Sequence, residues 1–496
     1  MLLLNFTAQN HKSLRDEAIL ELARPSLNGV RPKGGQTWAS SVYPAAGIFG
    51  ANASGKSTIL DALRYAVTAV RSSASEWLSQ DRMPRAPFRL GPDHTKAPSR
   101  YELEFVHEDT RFAYGFEVDE AGVAREWLAD WPSSRRRSLF TREREQVSYG
   151  RGVRSVGLLA SGELLLSRAI RLGHEPLAAI GRALVAGCEF VPLGDLQRRA
   201  RIEAIVDDLS KGKSTTELIK TVLRIADVGI ADVTLREEAI PPEFVDKLNR
   251  LNKAFEYLVQ DTDGEGSGEP LPDDEDASDL SEPAIEAVIR GLEFDHGYGA
   301  EPFSMYDESD GTLAWLALAV PAIDRLRKGG LFVVDELGSS LHPHLAEALI
   351  GFFQNPEINT RGAQILFTSH DFYLISNQSS LDFEKGQIWF TEKERDGATE
   401  LFSLADFKPH HGDNVAKRYL EGRYGAVPSL ASSLVHLLMQ PQEALREETR
   451  KASPAIRAPS GSSRHRGHGN RDPIPANAPA TAAPKCRISE ADRRGG

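Results

Sequence analysis

The sequence predicts an α/β fold built on a parallel sheet, together with an antiparallel β subdomain, and three observations carry this prediction. The apolar run Ala45–Phe49 precedes a glycine-rich turn, and the amphipathic segment Ser54–Arg71 follows it, as expected for a buried strand that leads into a helix. Two further apolar runs, Leu331–Val334 and Ala363–Thr368, each end in polar residues. Alternating apolar residues within Tyr101–Val118 predict an antiparallel hairpin.

The middle and the end of the chain are predicted to be less regular. Residues 150–260 are mainly helical in pattern, as in Thr215–Val228. The segment Gln260–Pro283 holds ten acidic residues and no basic one, which predicts a disordered acidic loop. Residues 450–496 hold ten basic residues against three acidic ones and predict a disordered basic tail. We expect both segments to be solvated, although the tail leaves contact with nucleic acid open.

Composition narrows the function classes. Hydrophobic residues make up 41% of the chain and the net charge is −12, which excludes wholesale disorder and a polycationic surface, while a local basic patch stays open. The two cysteines, Cys188 and Cys486, cannot build a disulfide framework or a cysteine-based zinc site. Because neither a signal peptide nor a membrane-spanning run is evident, we expect a cytoplasmic protein.

The glycine-rich turn has the sequence of a phosphate-binding loop. Residues 50–57 read GANASGKS, which fits G-x-x-x-x-G-K-[ST] between a predicted strand and a predicted helix. In such a loop the backbone N–H groups and the helix N-terminus surround phosphate oxygens, the lysine reaches the β- and γ-phosphates, and the serine binds Mg²⁺. The residues predicted to contact ATP here are Gly50, Asn52, Ala53, Ser54, Gly55, Lys56, Ser57 and Thr58.

A second motif places two carboxylates after a buried strand. Asp335 and Glu336 follow Leu331–Val334, at the end of the strand where ligands bind in open α/β sheets. Beside a phosphate-binding loop, Asp335 is predicted to support Mg²⁺, directly or through water. Glu336 is predicted to activate the water that attacks the γ-phosphate.

A third motif, Ser369-His370-Asp371, ends the next apolar strand. It is not a hydrolase triad, because adjacent residues on an extended chain point to alternate faces. His370 is instead predicted to reach the γ-phosphate and to act with Glu336 and Lys56 in catalysis.

A fourth motif precedes the apolar helix predicted over Leu313–Leu326. Its residues, Ser309, Asp310, Gly311 and Thr312, form a small polar turn at a helix N-terminus, which suits an anion. A plain helix cap by Ser309 or Asp310 explains the same residues, and both interpretations can hold together.

The order of these motifs resembles that of ABC-type ATPase heads, a P-loop NTPase architecture found in SMC and RecF-like proteins. Within this superfamily the chain is similar to the RloA/AbiL-type AAA-family ATPases of bacterial phage defence and abortive infection. The similarity covers roughly residues 1–430 and includes Asn10–Leu14, Asp335–Pro343, Gln387–Lys393 and Tyr419–Pro428.

The resemblance implies an ATPase that dimerises around two ATP molecules and changes shape when ATP binds or is hydrolysed. Ser309–Thr312 match the signature motif, which in this superfamily meets the γ-phosphate bound by the other subunit. Ser339–His342 match the D-loop at the dimer interface, and His370 matches the switch histidine. Lys12 and Ser13 match an N-terminal pair near the nucleotide. A toxic or nuclease partner protein is also implied.

The predicted domains follow from the motif order. Their ranges are 1–149 for the N-terminal part of the head, 150–295 for a helical insertion that contains the acidic loop 260–283, 296–430 for the C-terminal part of the head, 431–449 for a C-terminal helix and 450–496 for the tail.

Three alternatives remain at the level of sequence. A DNA-repair ATPase of the SMC/RecF class would be expected to carry long heptad arms, which the chain lacks. A single-chain nuclease needs a Toprim domain after the ATPase, and we expect none in the short region after Pro428. A nucleotide-gated scaffold with negligible turnover would use the same residues as an ATPase.

Overall fold

The computed structural model describes most of the N-terminal four-fifths of the chain. All described residues belong to the first of the two units into which the chain divides, Met1–Pro428. Ser340, the predicted acidic loop, the predicted C-terminal helix and the tail lie outside them. The described ranges are 1–79, 83–191, 194–226, 229–239, 288–299, 301–339, 341–407 and 415–420.

A six-stranded sheet forms the centre of the fold, and the phosphate-binding loop lies at one of its ends. Five of its strands are parallel, and the edge strand β16 is antiparallel to its neighbour. The strand before the loop is buried on both faces, which explains its uninterrupted apolar sequence. In sheet order the strands are β16 (Thr399–Ser403), β15 (Ile388–Lys393), β3 (Ala45–Gly50), β14 (Gln364–Ser369), β13 (Leu331–Val334) and β9 (Cys188–Val191).

A seven-stranded antiparallel sheet forms the second layer and contains the predicted hairpin. In sheet order its strands are β2 (Ala18–Glu21), β1 (Leu2–Gln9), β4 (Ser99–His107), β5 (Thr110–Asp119), β6 (Gly122–Trp131), β7 (Arg137–Glu143) and β8 (Gln146–Tyr149). A third, smaller sheet contains β10 (Asp232–Ala239), β11 (Val288–Asp295) and β12 (Phe303–Ser304).

Helices cover both faces of the central sheet. The apolar face of the helix after the phosphate-binding loop, with Leu60, Leu63 and Val67, packs in one core with the antiparallel sheet. Trp315 belongs to a second core on the other face, where its Nε1 donates to the Val222 carbonyl at 2.7 Å. The α-helices of the described residues are α1 (Lys56–Ser72), α2 (Pro92–Lys96), α3 (Leu165–Leu172), α4 (Leu177–Ala186), α5 (Asp195–Ser210), α6 (Thr216–Ile225), α7 (Asp310–Lys328), α8 (Pro343–Gln354) and α9 (Val415–Leu420).

The structure confirms the α/β fold class, a parallel sheet accompanied by an antiparallel one. The region predicted as a helical insertion contains α3 to α6, but it also contains β9, which joins the central sheet with Cys188 opposite Leu331. β9 has only four residues, too few to stand out within a helical pattern. The domain boundaries stay a prediction. Within the described part of the chain, no helix combines the length and the apolar character that crossing a membrane requires.

Candidate functional site

The phosphate-binding loop lies between β3 and α1, and the strand pair β15–β16 contacts it through Thr391 and Thr399. Ala53 and Gly55 adopt left-handed backbone conformations, with φ of 62° and 111°. A Cβ atom on Gly55 would lie 2.2 Å from Thr399 Oγ1, so only glycine fits there. The Oγ of Ser54, which is buried, lies 2.6 Å from Thr391 Oγ1. These contacts hold the loop in its curled shape.

Lys56, the first residue of α1, is buried, with only 4% of its surface exposed. Its Nζ donates to the carbonyl oxygens of Gly50 and Ala51, both at 2.9 Å, and lies 3.2 Å from His370 Nδ1. Burial lowers the pKa of Lys56 to about 8, although nearby carboxylates oppose the shift. The ammonium group therefore lies among neutral oxygens that solvate it less well than phosphate would.

Asp335 follows the last residue of β13 and accepts hydrogen bonds from two hydroxyl groups. Ser57 Oγ donates to Asp335 Oδ1 at 2.9 Å, and Thr368 Oγ1 donates to the same oxygen at 2.6 Å. The hydroxyl of Ser57 and the carboxylate of Asp335 are the hard oxygen donors that Mg²⁺ prefers, and Mg²⁺ commonly takes its other ligands from phosphates and water. The two predicted metal ligands thus lie in contact and suit that ion.

Glu336 has a backbone conformation that few non-glycine residues adopt, with φ of 58°. Its N–H donates to Thr368 Oγ1 at 2.7 Å, which supports this conformation. The turn directs the exposed carboxylate of Glu336 to the cavity that Lys56 and His370 also line. Burial and the adjacent Lys56 lower the pKa of His370, so its imidazole is neutral at pH 7.

One cavity of about 480 Å³ brings most of the predicted residues together. Gly50 lies beside it at the end of β3, and Asp335 lies behind Ser57. Both the phosphate-binding loop and the two later strand ends contribute side chains, as expected for the carboxyl ends of adjacent parallel strands. The lining residues are Ser13, Asn52, Ala53, Gly55, Lys56, Ser57, Thr58, Glu336, His370 and Lys393.

The predicted N-terminal pair divides between two environments. Ser13 lines the cavity, and its Oγ donates to Thr58 Oγ1 at 3.2 Å. Lys12 instead forms an ion pair with Asp61 of α1, with 2.6 Å between Nζ and Oδ2. Asp61 also accepts from the buried His11, 2.9 Å from Nε2. The segment before β2 is thereby fastened to the helix that begins with Lys56.

The predicted signature motif lies away from the cavity. Ser309 caps α7, since its Oγ accepts from the Thr312 N–H at 3.1 Å, and Asp310 forms an ion pair with Arg198 at 2.9 Å. None of the residues 309–312 lines the cavity. The predicted D-loop leads into α8, where His342 caps the helix because its Nδ1 accepts from the His344 N–H at 3.3 Å. Within a single chain the signature residues and the phosphate-binding loop are not brought together.

Several residues of the site were not predicted. Thr368, Thr391 and Thr399 supply hydroxyl groups to the loop or to Asp335, and Lys393 lines the cavity. Thr399 contacts Ser54 across 345 positions of the sequence, a separation at which no local pattern signals a contact. The run Gln387–Lys393 stood out in sequence as a motif but without a role.

The fold and the site define a class of protein. A phosphate-binding loop joins a buried parallel strand to a helix, and an aspartate on a nearby strand faces the serine of that loop, as in P-loop ATPase domains. A family described as "AAA domain, putative AbiEii toxin, Type IV TA system" matches residues 45–172 and 209–376. This match spans more than half of the chain, so the protein belongs to that family of ATPase-type domains.

Two solved structures resemble the chain at 12% identity. The first is an SMC head bound to the C-winged helix domain of ScpA, with a TM-score of 0.40 over 81% of this chain and 97% of that chain. The second is the SMC head domain from Thermotoga maritima, with a TM-score of 0.34 over 81% of this chain and 99% of that chain. No curated protein matches the sequence.

Proposed function

We propose that the protein binds ATP with Mg²⁺ in the cavity beside α1 and hydrolyses it. The observation that carries this proposal is the convergence of Lys56, Ser57, Asp335, Glu336 and His370, which come from three parts of the sequence. A triphosphate requires a cation, and Mg²⁺ requires oxygen ligands such as a hydroxyl group and a carboxylate. An attacking water requires a carboxylate that can accept its proton.

Each side chain has a step assigned to it. Lys56 exchanges the carbonyl oxygens of Gly50 and Ala51 for β- and γ-phosphate oxygens, which stabilise its charge better. Ser57 and Asp335 would hold Mg²⁺, which would supply positive charge beside the phosphates. Glu336 accepts a proton from the attacking water, and neutral His370 donates a hydrogen bond to the γ-phosphate.

We further propose that two copies of the chain complete the site. Ser309 and Gly311 do not line the cavity of their own chain, whereas a helix N-terminus such as that of α7 suits an anion. A second copy would bring its Ser309–Thr312 to the γ-phosphate, so that ATP lies between the subunits. The dimer then changes shape with the state of the nucleotide.

The biological role that we propose is a nucleotide-driven switch in bacterial phage defence that controls a toxic or nuclease partner. The similarity to RloA/AbiL-type ATPases supports it, as does the mention of a toxin and a toxin–antitoxin system in the family description. Expression of the neighbouring reading frame with and without this protein tests the role. Toxicity that depends on Lys56 supports it, and a neighbouring replication-repair operon would favour a DNA-repair ATPase instead.

The Glu336→Gln variant tests the ATP-linked dimer. Removing the base should stop hydrolysis and leave ATP bound, so light scattering should show a doubled mass when ATP and Mg²⁺ are added. The double variant Lys56→Ala/Glu336→Gln is the control and should stay at its nucleotide-free mass. An unchanged mass for Glu336→Gln with ATP bound would contradict the sandwich. Wild-type protein that binds ATP without turnover would identify a nucleotide-gated scaffold.

A further inference from the structure

The hairpin β15–β16 carries Lys393, whose side chain lines the cavity beside the phosphate-binding loop. Lys393 is the last residue of β15 and lies opposite Thr399, the first residue of β16. Its Nζ donates to Thr399 Oγ1 at 3.2 Å. Among the described residues, no carboxylate lies within 4.0 Å of this ammonium group. Lys393 is exposed as a whole residue, and the limited desolvation of its ammonium group lowers its pKa.

Thr399 connects this lysine to the phosphate-binding loop. Its hydroxyl donates to the Ser54 carbonyl at 2.9 Å and lies 2.8 Å from Ser13 Oγ, and its N–H donates to the Ser13 carbonyl at 2.7 Å. Thr399 also fills the space that a side chain on Gly55 would need. The position of Lys393 is thereby set by the same threonine that fastens the loop.

The end of the hairpin is held on its other side as well. Arg15 forms ion pairs with Glu394 and Asp396 in the turn between β15 and β16. Gly397 has φ of 85° and packs against Leu90, since a Cβ there would lie 2.4 Å from Leu90 Cδ1. Lys393 is therefore an exposed residue at the start of a turn that ion pairs and packing hold in place.

Lys393 also lies where two cavities meet. The first holds Lys56, Glu336 and His370, and the second is lined by Lys12, Ser13, residues 86–90 and Gly397. Ser13 and Lys393 belong to both. A nucleotide with its γ-phosphate at His370 would extend towards the second cavity past these two residues.

We propose that Lys393 binds the phosphate chain of the nucleotide on its nucleoside side, held in position by Thr399. This inference rests on the proposed ATP site and adds a second phosphate-binding lysine from a strand that lies far from Lys56 in the sequence. An ammonium group that donates to a neutral hydroxyl gains more from a phosphate oxygen, because the anion adds a direct attraction between opposite charges to the hydrogen bond. Nucleotide binding would then tie β15 and β16 to the loop.

Calorimetric titration of Lys393→Met with ATP and with ADP tests this proposal. Methionine keeps the apolar stem, so the melting temperature without nucleotide should be unchanged. The dissociation constants for ATP and ADP should each rise about tenfold, because both ligands carry the phosphates on the nucleoside side. Lys393→Arg should restore most of the affinity. Lys211→Met, which removes a surface lysine paired with Asp207, is the matched control and should bind normally.

Three results would overturn the assignment. Unchanged affinities in Lys393→Met would mean that the lysine does not touch the nucleotide. Loss for ATP alone would place it at the γ-phosphate instead. An equal loss in Lys211→Met would reduce the effect to overall charge. Failure of the wild-type protein to bind ATP would refute the ATP site itself, which is a separate result.

Discussion

Two buried charged side chains, Glu126 in the antiparallel sheet and Lys56 beside the parallel one, differ in the partners that surround them. Glu126 of β6 is 1% exposed, and its carboxylate accepts from the N–H groups of Leu165 and Leu166, at 2.7 and 3.0 Å, and from Tyr114 Oη at 3.0 Å. Buried Arg142 lies 3.7 Å away. Lys56 is 4% exposed, but it is surrounded by carbonyl oxygens and a neutral imidazole and opens onto a cavity.

The difference shows that burial of a charge does not by itself mark a functional site. The partners of Glu126 are fixed parts of β5, β7 and the N-terminus of α3, so this carboxylate joins the antiparallel sheet to a helix. Lys56 lacks an anionic partner at hydrogen-bond distance within the described residues, and a ligand can supply one. What distinguishes the two groups is whether the protein supplies N–H groups and an opposite charge as partners, although burial still raises the pKa of Glu126.

The largest expected effect is that of Lys56→Ala on nucleotide affinity. Loss of the only ammonium group at the centre of the loop should raise the dissociation constant for ATP by about a thousandfold, measured by calorimetric titration. The free energy of unfolding should stay within about 1 kcal/mol of wild type, because a poorly solvated charge is removed with its hydrogen bonds. Micromolar ATP affinity in this variant would refute the assignment of the loop.

For Glu126→Gln we expect the opposite of Lys56→Ala, namely a loss of stability without a loss of ATP affinity. The amide of Gln has one accepting oxygen instead of two, so an N–H group of α3 loses its acceptor inside the core. Arg142 keeps its hydrogen bonds to backbone carbonyls but loses the negative charge beside it. The free energy of unfolding should fall by about 3 kcal/mol, measured by urea denaturation, while ATP affinity should not change. Glu143→Gln, at an exposed position on β7, is a suitable control. A large loss of ATP affinity in Glu126→Gln would contradict the conclusion that Glu126 has a structural role and Lys56 a ligand-binding one.

The smallest expected effect concerns pH. Because the pKa of Lys56 is lowered to about 8, the free protein loses the Lys56 proton as pH rises through that value, and ATP binding must then take up a proton. ATP affinity should fall about tenfold from pH 7 to pH 9. Lys56 also binds fewer protons when folded than when unfolded between about pH 8 and 10, so its contribution to stability rises with pH there. Lys56→Arg keeps its charge and should bind ATP with little dependence on pH.

The local sequence predicted those helices and strands that have an uninterrupted apolar run or a regular spacing of apolar residues. The run before the loop, the amphipathic helix after it, the hairpin and the two later strands all lie where apolar spacing placed them. β9 was missed because four residues inside a helical pattern carry too little periodicity, and β10 and β11 pair across a long stretch of chain, which no local pattern reveals.

The sequence by itself determined which residues carry the chemistry of the proposed phosphate site. The spacing from Gly50 to Ser57 and the pair Asp335–Glu336 each specify a residue type and an orientation through local backbone geometry. The tertiary structure alone decided what surrounds that chemistry. Thr399 and Lys393 meet the loop because parallel pairing brings β15 beside β3, and such contacts depend on sheet order, which joins residues that are far apart in the chain.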